Sequence, residues 1–368
     1  VIVSGPRRAS ILLSIGLMAL AACGSTDDGG SAATTEAVPA STTAPATSPA
    51  PTGPVTQPPQ PTSGPGGSAY AHGDWRESHG GSGSDAWYVF EPTDPRPASA
   101  PVAIVLHGYF EYAGYAQMEE LIRHTVRTGT IVIYPRWQVG VADPCPGPLD
   151  IEPCLTAARN GILGALAHLE ADPTRVQPRL DEVSWFGFSF GGIITADLAN
   201  RHEALGLPEP RAIFLDDPHD GGFAGRGEPA LDDSLAGIPA DVLFECHSGA
   251  EGVIAEPGNA RSSCNAVFPE LDHIADDDKD LVLTEPDHHG TPALSSGHGV
   301  CAAPRGHADA YDWGFCWKVW DALRSAALDG TDRGLALGDT PEHRSNGTWS
   351  DGVPIAPLHI QDEAPIRP

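Results

Sequence analysis

Between Val183 and Asn200 the chain passes from an apolar run, Val183–Phe188, through Gly187-Phe188-Ser189-Phe190-Gly191 into a segment, Gly192–Asn200, with helical spacing. A strand that meets a helix over so few residues must turn sharply, and glycines two before and two after the serine leave room for that turn. Ser189 would then stand at the tip, with its Oγ lifted clear of a sheet, as a candidate nucleophile. A five-residue pattern acquires meaning only if the rest of the chain supplies a sheet, an acid, a histidine and an oxyanion site around it.

The sheet is legible in a series of short apolar runs. Trp87–Glu91, Val102–Leu106, Thr130–Tyr134, Val183–Phe188, Ala212–Asp216, Val242–Cys246 and Leu281–Thr284 read as strands, mostly continuous in hydrophobicity as strands buried on both faces are. Met118–Arg127, Ala157–Glu170 and Gly192–Asn200 have helical spacing between them, the second stopped by Asp172-Pro173. A closing helix is expected from Ala308 to Ala327. In it Trp313, Cys316, Trp317, Trp320 and Leu323 recur at three- and four-residue intervals and read as a core face rather than an aromatic binding site. Strands alternating with helices predict an α/β architecture with a mainly parallel sheet covered on both faces.

The N-terminal region has a different character. Arg7 and Arg8 precede an apolar run, Ile11–Ala22, too short to span a bilayer and shaped like a secretory signal; twin-arginine export is poorly matched. Its end, Leu20-Ala21-Ala22-Cys23-Gly24, is similar to a bacterial lipobox, so residues 1–22 are expected to be a cleaved signal and Cys23 a lipidation site. Residues 24–67 are dominated by Ala, Thr, Ser, Pro and Gly, with no aromatic, Lys or Arg. Such a composition cannot offset its ordering entropy by burying apolar surface. Residues 23–68 are therefore expected to be a disordered tether and residues 69–368 the globular part, lipid-anchored at the outer face of a bacterial cell membrane.

With 49 Asp plus Glu against 21 Lys plus Arg the formal charge is −28, which argues against nucleic acid or anionic headgroups as partners. Membrane contact is expected through the lipid alone, and the globular part is expected to be monomeric. Of seven cysteines, Cys23 is set aside for lipid, and an even set remains for disulfides in an exported protein. Pairing of sequence neighbours is expected: Cys145 with Cys154, Cys246 with Cys264, Cys301 with Cys316. No pair has the close spacing of a zinc site. The run Asp276-Asp277-Asp278 reads as a solvated acidic loop rather than a calcium site.

From about Val102 to the closing helix the residues resemble the α/β-hydrolase superfamily. The resemblance lies in a strand ending at His107-Gly108, the turn around Ser189, and later strands followed by an acid and a histidine. Thr130–Arg136, His289–Leu294, Leu337–Pro341 and Trp349–Gly352 look similar to secreted bacterial hydrolases. The resemblance implies Ser189 as nucleophile and an oxyanion site made by the backbone amides of Phe190 and Tyr109, with His107 structural. It also implies a base in the loop after Leu281–Thr284. His289 is favoured there, with His288 and His298 as rivals. For the acid, the loop after Val242–Cys246 offers Glu251, although the family more often has Asp at that place. Asp217, one strand earlier, is the alternative, and Asp216 and Asp287 are weaker.

The activity so implied is serine carboxylesterase chemistry through an acyl-enzyme, with no metal or organic cofactor. A peptidase, thioesterase or acyltransferase on the same residues, or a non-catalytic envelope binding protein on this scaffold, are the alternatives. Pro218–Ala240 is too short and too rich in Gly and Asp for an amphipathic lid, so an open cleft is expected. Tyr109, Phe110, Tyr112, Trp137, Phe188 and Phe190 could line it and accept a small-molecule or polymeric ester.

Overall fold

The computed structural model describes residues 53–109, 111, 113–140, 151–219, 231–255 and 263–366. The expected signal, Cys23 and the tether up to residue 52 lie outside the described residues. So do Phe110, Tyr112, Cys145 and residues 220–230, where the absence of a lid was expected.

The elements follow in the order β1 (Asp74–Gly80), β2 (Trp87–Thr93), β3 (Ser99–Leu106), α1 (Glu119–Arg127), β4 (Ile131–Pro135), α2 (Glu152–Glu170), β5 (Gln177–Phe188), α3 (Phe190–Asn200), α4 (His202–Leu205), β6 (Pro210–Asp216), β7 (Leu243–Gly249), α5 (Cys264–Val267), β8 (Lys279–Thr284), α6 (Trp317–Asp329), α7 (Pro341–Arg344) and β9 (His359–Gln361). The strands form one mixed sheet in the order β1-β2-β4-β3-β5-β6-β7-β8-β9. From β4 through β8 neighbouring strands are parallel. β1, β2 and β9 join antiparallel at the two sides. The fold is thus α/β, with a mostly parallel centre.

Period-two alternation sorts the central side chains onto two cores. Val102, Ile104, Ile131, Ile133, Trp185, Ile213 and Leu215 face the helices α2 and α3, whose Ile162, Leu169, Ile193 and Leu198 share that core. Ala103, Val105, Val132, Phe186 and Phe214 face the other way, against Leu121 and Val126 of α1 and Trp320 and Leu323 of α6. Burial on both faces is why these strands read as continuous apolar runs.

The departures from expectation are local. β1 and β9 were not anticipated: Asp74–Gly80 is largely exposed at the sheet edge and β9 is only three residues long, so neither carries an apolar signature. β5 begins at Gln177, because its register against β3 jumps from Arg179 to Val183 and lets the intervening residues bulge. The closing helix opens with a π-helical turn, Asp312–Cys316, before α6. Cys316, Trp317, Trp320 and Leu323 are buried as expected, whereas Trp313 is only partly covered.

Two of the expected disulfides are present, Cys246–Cys264 and Cys301–Cys316, with Cα atoms 5.7 and 5.6 Å apart. Cys145, and with it the third expected pair, lies outside the described residues.

Residues 53–67 were assigned to the tether by composition, yet they run as a strap against the globular part. The amides of Thr291 and Ser350 donate to the carbonyls of Val55 and Thr56, and Gln57 accepts from the Ala310 amide. Further along, the Gly66 amide donates to buried Asp321 at 2.9 Å. Val55 packs beside Leu294, Tyr311 and Trp349. Polar, proline-rich chain can therefore be held by main-chain hydrogen bonds that composition does not reveal. Each such bond contributes about 1 kcal/mol, so a chain starting at Ala69 should melt several degrees below one starting at Ala50 in calorimetry. Equal melting temperatures would show that the strap adds no stability.

Candidate functional site

The carboxyl ends of β3, β5, β6, β7 and β8 all point to one edge of the sheet, the edge where open α/β sheets hold their ligands. Ser189 sits at the end of β5 with φ 57° and ψ −126°, a conformation that costs a non-glycine residue about 1–3 kcal/mol. The surroundings enforce it. Ser189 donates its amide to Asp216 O at 3.0 Å, and its carbonyl accepts from the amides of Gly192 and His219. A Cβ on Gly187 would lie 2.4 Å from Thr195 Oγ1, and one on Gly191 would lie 2.3 Å from His107 O and 2.6 Å from Leu106 O. Both glycines are thus required by contact between β3, β5 and the start of α3.

Ser189 Oγ lies 2.8 Å from His298 Nε2. On the other side of the ring, Nδ1 donates to Asp217 Oδ2 at 2.6 Å. Asp217 is fully buried while the His298 side chain is 40 % exposed, so the carboxylate is shielded and the imidazole reaches solvent. Asp217 follows β6 with φ 43°, its amide donating to His247 O at 2.8 Å. Its Oδ2 also accepts from the Val253 amide at 3.1 Å. Gly252 makes room for that carboxylate, since a Cβ there would stand 2.4 Å from Oδ2. The Phe188 ring packs beneath His298 with centroids 5.0 Å apart.

The favoured histidine and acid are not the residues joined to Ser189. His289 Nε2 meets Asp351 Oδ2 at 2.8 Å on the surface, and His288 beside it is exposed. Glu251 is exposed, and its Oε2 accepts from the Ser296 amide at 3.3 Å. It clamps the segment that leads to His298. The two residues given as alternatives, His298 and Asp217, are the ones brought together. Asp287 accepts from His289 N, Trp349 Nε1 and Ala356 N, a structural set of bonds. The loop after β8 is long, and the histidine that returns to β5 lies nine residues beyond His289. The signal that could have marked it is Gly297-His298-Gly299: Gly299 has φ +86° and no room for a Cβ against Phe188.

Phe190 is the first residue of α3, where a backbone amide has no partner within the helix and is available to an anion. Gly108, the residue before Tyr109, passes close to Ser189 and Phe188. Tyr109 packs edge-on against Phe190 with ring centroids 5.8 Å apart. His107 is fully buried, stacked between Tyr134 and Trp137, and burial pushes its pKa down to about 4, so it is neutral at pH 7. Trp137, expected at the cleft, is itself completely buried and supports Tyr109 and Phe190 from behind. Two neighbours were missed by the sequence reading. Glu111, buried behind the Gly108 turn, has its carboxyl pushed up to about 7 by burial. His219 lies beside His298 with ring centroids 6.2 Å apart.

One group of metal-type donors occurs among the described residues, Asp216, His247 and Cys301. Its sulfur is committed to the disulfide with Cys316, and Asp216 and His247 bond each other. The Asp276–Asp278 turn is exposed, and its carboxylates pair with Lys279 and Arg333.

A hydroxyl bonded to an imidazole, itself bonded to a buried carboxylate, can pass its proton to the ring as it attacks an electrophile. No protein-family model matches this chain, and no curated protein proves significantly similar to it.

Crowding at the turn predicts a stability contrast. Gly191→Ala should destabilise the fold by more than about 2 kcal/mol in urea unfolding. Gly334→Ala, where a Cβ meets only Thr340 Cγ2 at 3.8 Å, should stay within about 0.5 kcal/mol of the parent. Equal effects would mean that the turn is not limited by space.

Proposed function

We propose that the protein is a serine hydrolase of carboxylic esters on an α/β-hydrolase fold, with Ser189 as nucleophile, His298 as base and Asp217 as acid. The observation that carries this reading is the unbroken series Ser189 Oγ to His298 Nε2 and His298 Nδ1 to Asp217 Oδ2, at 2.8 and 2.6 Å, at one end of the parallel centre of the sheet. Their order along the chain, Ser, Asp, His, is the order of the superfamily that the sequence resembles.

In the proposed cycle Ser189 Oγ attacks the ester carbonyl while His298 takes its proton. Buried Asp217 holds the ring in the tautomer that presents Nε2 and stabilises the imidazolium that forms. The amides of Phe190 and Tyr109 bind the oxyanion, an interaction whose loss typically costs about 2.7–4 kcal/mol in such enzymes. His298 then protonates the departing alcohol, and water, deprotonated by the same ring, releases the acid and restores Ser189. These steps involve only protein groups and water. The half-exposed imidazole favours an accessible substrate, small or polymeric. A lipobox-like Cys23 supports placement outside the cell, on the membrane through lipid. No described helix is long and apolar enough to cross a membrane.

A fluorophosphonate probe followed by peptide mapping tests the nucleophile. The parent should be labelled at Ser189 and Ser189→Ala should not react. Absence of labelling in the intact protein would end the hydrolase reading, and labelling retained in Ser189→Ala would move the nucleophile elsewhere. Matched ester, thioester and amide substrates should be turned over in that order of preference, ester first. Faster amide cleavage would make the protein a peptidase.

A further inference from the structure

Beneath the site runs a second hydrogen-bonded chain, fully buried and made of side chains that no step above uses. His247, on β7, donates from Nδ1 to Asp216 Oδ1 at 2.7 Å, and its Nε2 lies 2.9 Å from Thr284 Oγ1 at the end of β8. Thr284 Oγ1 and Ser296 Oγ share a bond at 2.7 Å. Ser296 Oγ also donates to Thr284 O at 2.6 Å and accepts the Ala250 amide at 2.9 Å. At the other end of the chain, Asp216 Oδ2 accepts the Cys301 amide at 3.2 Å. Asp216, His247, Thr284 and Ser296 have no measurable exposure.

Its two ends grip one loop. Ser296 lies two residues before His298 and Cys301 three residues after it, so residues 296–301 are fixed on both sides of the base. The same chain touches the acid. Asp217 follows Asp216 directly, and its amide donates to the carbonyl of His247. The packing of the segment is equally tight, since a Cβ on Gly249 would lie 2.3 Å from Ser296 O. Phe315 covers His247, with ring centroids 4.5 Å apart, which leaves the imidazole no path to a substrate.

We propose that Thr284 is a positioning residue: with Asp216, His247 and Ser296 it forms a buried strut that sets the height of the 296–301 loop and so holds His298 Nε2 on Ser189 Oγ. A polar chain inside a core is costly unless every member is bonded, and one that is bonded throughout becomes rigid. Apolar residues would have filled the same space, but without directional bonds to Ser296 and the Cys301 amide. The inference rests on the assignment of Ser189 and His298 as the reacting pair.

The test uses Thr284→Val, which keeps shape but removes the hydroxyl linking His247 to Ser296, and Thr284→Ser, which keeps the hydroxyl. With a short-chain ester, Thr284→Val should lower kcat about tenfold to a hundredfold, the scale of a misplacement near 1 Å, with KM within about twofold. Its fluorophosphonate label should still fall on Ser189, at a similarly reduced rate. Thr284→Ser should recover kcat to within about threefold of the parent. A folded Thr284→Val with parental kcat, a loss confined to KM, or an equal loss in Thr284→Ser would overturn the proposal. If Thr284→Val does not fold, Ser296→Ala is read by the same criteria. Failure of the parent itself to label at Ser189 would instead overturn the assignment of the reacting pair.

Discussion

The absence of free space around Gly187 and Gly191 governs the rest of the structure. Side chains there would drive into the main chain of β3 or into the first turn of α3, so β3, β5 and α3 close on one another only because neither glycine has a Cβ. That closure forces Ser189 into a strained, positive-φ conformation at the rim of the sheet. The strain of one residue is set against two hydrophobic cores, one on each face of the sheet, which together overdetermine the turn. A hydroxyl held this way needs no rearrangement to act as the proposed nucleophile.

The partners of Ser189 are held differently. Asp217 belongs to a strand end and is locked by backbone bonds to β7 and to the turn at Val253. His298 belongs to a long loop with little regular structure. Its position depends on ties to neighbouring elements: Glu251 and Ala250, just after β7, to Ser296, Asp216 of β6 to Cys301, and the disulfide from Cys301 to Cys316 in the turn before α6. The Cys246–Cys264 bridge ties α5 to β7, next to His247. Two rigid strand ends thus carry Ser189 and Asp217, while a pinned loop brings His298 to them.

What was legible in the sequence follows this division. The central strands, the helices that cover them and the turn at Ser189 have strong local signatures, because burial on both faces leaves continuous apolar runs and the turn leaves its glycines. The edge strands β1 and β9 lack such a signature, being exposed or very short. The strap at residues 53–67 is held through its main chain, which composition does not register. In the site, the sequence could place a histidine in the loop after β8 but could not choose among His288, His289 and His298. The choice depends on how far the loop travels before returning to β5. Glu251 was favoured by position after β7, whereas Asp217 lies one strand closer to Ser189 in the sheet order and already occupies the buried place beside His298.

The central claim is that His298 and Asp217, rather than His289 and Glu251, complete the site at Ser189. Ester hydrolysis by the four single alanine variants, each checked for folding, tests it most directly. Loss of the base or its acid should lower kcat by about 10²–10⁴-fold in His298→Ala and Asp217→Ala. His289→Ala, whose side chain meets Asp351 and the edge of the Trp349 ring, should stay within about twofold of the parent. Glu251→Ala, which loosens the segment before His298 without removing a reacting group, should fall well short of the Asp217→Ala loss. A parental rate in His298→Ala, or a loss in His289→Ala as large as that expected for His298→Ala, would contradict the account.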